Sequence, residues 1–113
     1  MNINNLIITT LEPLGLPIAP DIYNGGEDKY ITFNYADERG DMFADDEPQQ
    51  EVASMQIHLV TPKDFNYFNL KKDIRSRLFE VGFSYAQIST FYENETNQRH
   101  TIFECEFEKE RED

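Results

Sequence analysis

The sequence predicts an α+β domain in which two helices pack on one face of a mainly antiparallel sheet of four or slightly more strands. Two segments carry apolar residues at the three- and four-residue spacing of an amphipathic helix. Four others alternate apolar and polar residues with the period of two that a half-buried strand requires. The segments follow the order helix, strand, strand, helix, strand, strand, and hairpins separated by helices are typical of this class.

The first helix is predicted from Asn2 to Leu11, with Asn2 as its N-terminal cap. Two prolines and a glycine follow and end it. We expect Pro17–Glu27 to form a linker-like loop, with a turn at its glycine pair.

The first two strands are predicted at Tyr30–Tyr35 and Ala53–Val60, and the second stops at Thr61-Pro62. The intervening residues 36–50 are strongly acidic and contain Gly40 and Pro48. We expect them to form a long solvated loop or hairpin arm.

The second helix is predicted from a stripe of apolar residues, with Phe68 and Phe79 beside it: Tyr67, Leu70, Ile74, Leu78 and Val81. Asp64 is a candidate cap, and Gly82 followed by Phe83 favours a left-handed C-terminal stop. The last two strands are predicted at Ala86–Tyr92 and His100–Glu108, followed by a short acidic tail at 108–113. The 113 residues, of which 39% are apolar, predict one domain spanning 1–113.

Charge is distributed unevenly along a chain whose net charge is −12. The window Lys63–Arg77 holds five of the ten basic residues, whereas Ala36–Glu51 holds seven acidic residues against Arg39 alone. Surfaces of opposite sign favour head-to-tail self-association, which gives rings when the contacts close and filaments when they do not. Our candidate subunit-interface residues are Lys71, Lys72, Arg75, Arg77, Asp37, Asp41, Asp45 and Asp46.

Composition argues against several partners and compartments. A pI near 4.4 disfavours nucleic-acid binding and binding to anionic membranes. The single cysteine excludes an intramolecular disulfide and fits a reducing cytosol. With neither a signal peptide nor a membrane span in the sequence, we expect a soluble, intracellular protein.

No catalytic constellation is recognisable, and we expect a non-enzymatic protein without metal or cofactor. His58 and His100 lack further ligands at metal-site spacing and are predicted to lie on the surface or rim. The acidic segment does not follow the calcium-binding order of an EF-hand, so a solvated loop that orders against a partner is favoured. Cys105, between Phe103 and Phe107 on the apolar side of the last strand, is predicted to be an inert core residue.

Most of the chain, from Ile22 to Phe107, resembles the tail terminator (tail completion, head–tail joining) proteins of long-tailed bacteriophages and prophages. The residues that carry the resemblance are loose patterns on either side of an acidic insertion: Ile22-Tyr23, Tyr30–Phe33, Met55–Thr61, Leu78–Phe83, Phe91–Thr96 and His100.

The resemblance implies a small α+β subunit of a ring, generally a hexamer, that caps the tail tube and meets the head connector. Its implied partners are itself, the major tail (tube) protein and the head connector protein, in the virion and, during assembly, in the host cytoplasm. DNA would pass through the ring without specific binding, and an acidic lining would repel its phosphates. Glu104, Glu106 and Glu108 are our candidate channel lining. The alternative function is a small acidic binding module or inhibitor, a DNA mimic that docks a basic partner.

Overall fold

A computed structural model of the chain describes residues 2–44 and 47–110, and for residues 37–44, 47–51 and 109–110 it describes the backbone alone. The fold is α+β, with two helices and a mixed five-stranded sheet of order β1-β2-β3-β5-β4. In chain order the elements are α1 (Ile3–Leu11), a 3₁₀ turn (Glu12–Leu14), β1 (Ile18–Pro20), β2 (Tyr30–Ala44), β3 (Glu47–Pro62), α2 (Phe68–Glu80), β4 (Gln87–Glu93) and β5 (Gln98–Glu110).

The sheet has five strands, one more than the four that the sequence pattern located. The additional strand makes the sheet mixed. β1 lies within the predicted linker loop Pro17–Glu27 and pairs in parallel with β2, from Ile18 opposite Ile31 to Pro20 opposite Phe33. The sequence pattern missed it because three residues are too few to show a period, and because flanking prolines disfavour a strand in isolation. Pairing with β2 overrides that local preference.

The acidic segment at 36–50, expected as a solvated loop or hairpin arm, is a hairpin arm in the residues that the structure describes. β2 and β3 remain paired from Asp37 opposite Ser54 to Ala44 opposite Glu47, after an irregularity between Tyr35 and Asp37. The backbone satisfies its hydrogen bonds by continuing the hairpin. We call residues 37–44 and 47–51 the acidic arm.

The core lies on one face of the sheet, between the strands and both helices. Alternate residues of β2, β3 and β5 point into it, as do Ile3, Ile7 and Leu11 of α1 and Ile74 and Leu78 of α2. Each such side chain contributes about 1.5–3 kcal/mol relative to full exposure. The opposite face of the sheet carries no helix among the described elements, and we call it the open face.

Side-chain caps begin both helices, and a glycine ends α2. Asn2 Oδ1 accepts a hydrogen bond from Asn5 N at 3.3 Å, as predicted for the cap of α1. At the start of α2, Asn66 Oδ1 accepts from Phe68 N at 3.2 Å, so the predicted cap Asp64 is wrong. α2 ends as expected, with Gly82 at φ 113°, Phe83 N donating to Leu78 O at 3.1 Å, and Phe83 buried.

Replacing Gly82 with alanine should lower the free energy of unfolding by about 1–2 kcal/mol, because side chains strain a left-handed backbone. A Cβ there would also lie 3.1 Å from Cε1 of Phe107. Urea denaturation measures the change. The control is Gly26→Ala, where an added Cβ meets no atom within 4 Å. Equal stabilities of the two variants would contradict the role given to Gly82.

Candidate functional site

The basic side chains of α2 lie on the outside of the molecule. Lys72 is exposed, and Lys71, Arg75 and Arg77 are half-buried. Among the described residues, none of these four cations forms a salt bridge with a carboxylate. Their charges are therefore not neutralised within the described part of the subunit.

Aromatic rings, rather than acids, accompany the cations of α2. Lys71 Nζ lies 5.1 Å from the ring centroids of both Tyr67 and Phe68, and the guanidinium of Arg75 lies 3.8 Å from that of Tyr85. Tyr85 in turn meets Phe79 edge to face at 5.6 Å. Such cation–π contacts contribute about 0.5–1 kcal/mol each at exposed sites.

Several aromatic rings near these cations are largely exposed. Phe68 and Phe79, expected beside the core stripe of α2, are 58% and 56% exposed, and Tyr85 and Tyr92 are 60% and 52% exposed. The stripe itself buries Ile74 and Leu78. The helical period places both phenylalanines away from the buried stripe, and this spacing could have indicated their exposure.

Arg99 fixes the connection between β3 and α2. Its Nη1 donates to Phe65 O at 2.6 Å and its Nη2 to Lys63 O at 2.9 Å, while its guanidinium lies 4.1 Å from the ring centroid of Tyr67. The same guanidinium lies 5.3 Å from the ring of Tyr92 on β4. Sequence reasoning did not identify this arginine, because its partners are distant in sequence.

Together these side chains form a continuous patch of cations and exposed aromatics, which we call the basic aromatic surface: Lys63, Phe68, Lys71, Lys72, Arg75, Phe79, Tyr85, Tyr92 and Arg99. Lys63 Nζ lies 5.8 Å from the ring of Tyr92, so the patch extends from α2 to the edge strand β4.

For the predicted acidic partners of this patch, the structure describes the backbone of two residues only. Asp37 and Asp41 belong to β2, within the acidic arm, and their side chains lie outside the described part of the structure. Asp45 and Asp46 lie outside the described residues.

The three glutamates predicted to line a channel share one side of β5. Glu104, Glu106 and Glu108 are all exposed, and their alternation with buried Phe103, Cys105 and Phe107 places them on the open face. Glu106 also accepts a hydrogen bond from Ser54 Oγ at 3.3 Å.

The open face also carries a hydrogen-bonded chain of side chains that crosses four strands. Asn34 Oδ1 lies 2.8 Å from His58 Nε2, and His58 Nδ1 lies 2.9 Å from His100 Nε2. His100 Nδ1 lies 3.5 Å from Glu93 Oε1. Both histidines are half-buried and in contact, whereas the sequence placed them separately at the surface or rim. The strand register that joins them cannot be read from the sequence.

The donors in this chain follow from Asn34, whose Nδ2 donates to Gln56 Oε1 at 3.4 Å and whose Oδ1 therefore faces His58. His58 must donate from Nε2, so its Nδ1 is bare when the ring is neutral and accepts from His100 Nε2. A second proton on His58 would place its Nδ1–H against the Nε2–H of His100. Burial, and next the charge of His100, lower the pKa of His58 below its ordinary value of 6.5.

A cleft of about 280 Å³ lies over the two histidines. Its walls come from the loop after β1, at Asp21 and Tyr23, and from Tyr30 of β2. The rings of Tyr23 and Tyr30 lie 4.6 Å apart, and Tyr23 Oη accepts from Glu27 N at 3.0 Å. This packing shields one side of the histidine pair from solvent.

Cys105 lies in the core, as predicted, and is 4% exposed. Burial, and secondly the neighbouring Glu106 carboxylate, raise the pKa of its thiol to about 12. The thiol is therefore protonated at neutral pH and a poor nucleophile.

Two further features are absent from the described residues. No group of three or more His, Cys, Asp or Glu side chains among them is arranged to hold a metal ion. No helix among them is both long and apolar enough to cross a membrane.

Comparison of the sequence with models of known protein families and with curated proteins found no match.

The histidine pair makes stability depend on pH. Because the pKa of His58 is lower in the folded than in the unfolded chain, the unfolded state binds the proton more readily. The stabilisation is complete above about pH 6.5, the unfolded value, and is lost as the pH falls below it. The melting temperature of the native chain should therefore fall more between about pH 7 and 5 than that of a His58→Gln variant.

NMR titration of the histidine ring protons provides the direct measurement. In a His100→Gln variant the pKa of His58 should rise but stay below 6.5, because burial is the larger cause. A His58 pKa at or above 6.5 in the native chain would contradict this account.

Proposed function

We propose that this chain is a structural protein of a long-tailed phage or prophage, which self-assembles into a ring at the head-proximal end of the tail. The ring terminates the tail tube and joins it to the head connector. Two supports underlie the proposal: the resemblance of residues 22–107 to tail terminator proteins, and the presence of two unlike surfaces on one subunit.

The unlike surfaces are the observation that carries the proposal. The acidic arm continues β2 and β3, and the basic aromatic surface reaches β4, the edge strand beyond β5. A subunit with complementary surfaces on different sides joins its neighbours head to tail, which is the geometry of rings.

Exposed aromatic side chains supply the apolar contact area that charged residues alone do not provide. Surface ion pairs contribute only about 0–1 kcal/mol each, so a stable contact needs buried apolar area as well. Phe68, Phe79 and Tyr85 are more than half exposed in the isolated chain and stand beside the cations. Covering them with a neighbouring subunit would supply that area.

In this proposal the open face of the sheet is turned toward the channel. Glu104, Glu106 and Glu108 are exposed there, on the side away from both helices. Fixed negative charge repels nucleic-acid phosphates, so passing DNA would meet a surface to which it does not adhere.

The test reverses charge on α2 at Lys72, within the basic aromatic surface, and at Arg77, outside it. Neither cation has a cation–π contact among the described residues. Lys72→Glu with Arg77→Glu should weaken assembly by about tenfold or more per contact, while the circular dichroism of the monomer stays native. Multi-angle light scattering and negative-stain microscopy measure the assembly. Raised salt should weaken the native contact, because exposed charges are screened beyond about 8–10 Å.

The control is Asp73→Lys, at an exposed site on the same helix. It changes the net charge by two units in the opposite sense to each of the two reversals. It should assemble at least as well as the native chain. Assembly that is unaffected by Lys72→Glu with Arg77→Glu would refute the electrostatic contact. A persistent monomer that binds a basic protein stoichiometrically would instead favour the acidic binding module.

A further inference from the structure

One edge of the sheet is open to another strand. β4 (Gln87–Glu93) is the last strand in the order, paired with β5 on one side only. Its seven residues are mainly β-branched, aromatic or small polar, and its only charge is the terminal Glu93. Soluble proteins commonly blunt such edges with lysine, proline or a bulge, and this strand contains neither lysine nor proline.

The other edge is protected at one end and open at the other. β1 covers β2 only at Ile31–Phe33, and Pro17 and Pro20 flank or occupy this short strand. From Asp37 to Ala44, no strand in the described part of the chain pairs with the outer side of β2. This stretch of the acidic arm is about as long as β4.

We propose that two copies of this chain join by strand pairing, with β4 of one copy hydrogen-bonded to the outer edge of β2 at residues 37–44 of the next. The inference rests on the self-assembly in the proposed function and specifies its contact. The sheet would then continue from one subunit to the next.

Charge identifies a second copy as the occupant of the β4 edge. Residues 37–44 carry Asp37, Glu38 and Asp41 against Arg39. The β4 edge is flanked by cations, with Arg99 5.3 Å and Lys63 5.8 Å from the ring of Tyr92. An acidic strand laid along β4 would therefore lie beside the basic aromatic surface.

The geometry of the two edges determines the kind of assembly. They lie on opposite sides of one sheet, so pairing them uses different surfaces of the two partners and leaves one free edge of each kind. Such a contact repeats from copy to copy, and it gives a ring when the rotation closes and a filament when it does not. Backbone hydrogen bonds set its orientation, and the flanking charges and aromatics select the partner.

Hydrogen exchange compared between monomer and assembly tests the pairing directly. Amides of Gln87–Glu93 and of residues 37–44 should become at least tenfold more protected on assembly, and those of β1 should not change. A ring without added protection at these two edges overturns the strand pairing and leaves the proposed function standing. Protection at both edges in an open filament supports the pairing and counts against the ring. A chain that stays monomeric at millimolar concentration overturns the pairing.

Adjacent proline variants provide the matched pair. Successive residues of a strand direct their N–H groups to opposite sides, so of Ser89 and Thr90 one N–H faces β5 and the other faces outward. One of Ser89→Pro and Thr90→Pro should therefore keep a near-native melting temperature but lose assembly, whereas the other should lose stability. Retained assembly in the stable variant would overturn the proposal. Ser89→Lys, at an exposed position, is a second variant that blocks the edge without removing an N–H.

Discussion

The arrangement of the molecule depends on the pairing of β3 along almost its whole length with two neighbours. β2 is antiparallel to it on one side from Tyr30 to Ala44, and β5 on the other from Gln98 to Glu110. Because side chains alternate across a strand, this one register decides which residues of three strands face the helices. A slip of one residue would turn Ile57 and Leu59 outward and bring His58 into the core.

The same register produces the two faces on which the functional argument depends. On the inner face it aligns Phe33, Ile57 and Phe103, which both helices help to cover. On the open face it aligns the polar partners, and there His58 meets Asn34 on one side and His100 on the other. The glutamates of β5 continue this polar face toward the acidic arm.

The ends of the sheet differ in charge, and this asymmetry connects the fold to the proposed assembly. The arm extends the hairpin with a run of carboxylates, and the molecule measures 53 × 26 × 25 Å. At the other edge, the cations of α2 lie beside exposed aromatic rings of α2 and its neighbours. Among the described residues, these cations form no salt bridge with a carboxylate. In the proposed assembly, one head-to-tail contact would place the acidic arm of one subunit against these cations of the next.

The sequence by itself determined the elements with a clear period. Both helices, the four long strands, the glycine stop at Gly82 and the buried position of Cys105 follow from local spacing, because each is a property of a few consecutive residues. The charge distribution also follows from the sequence alone. Only the tertiary structure decided that β1 joins the sheet, that the acidic segment forms a hairpin arm rather than a loop, and that Arg99 and the two histidines find their partners. These contacts join residues far apart in the chain, and their geometry exists only once β2, β3 and β5 are in register.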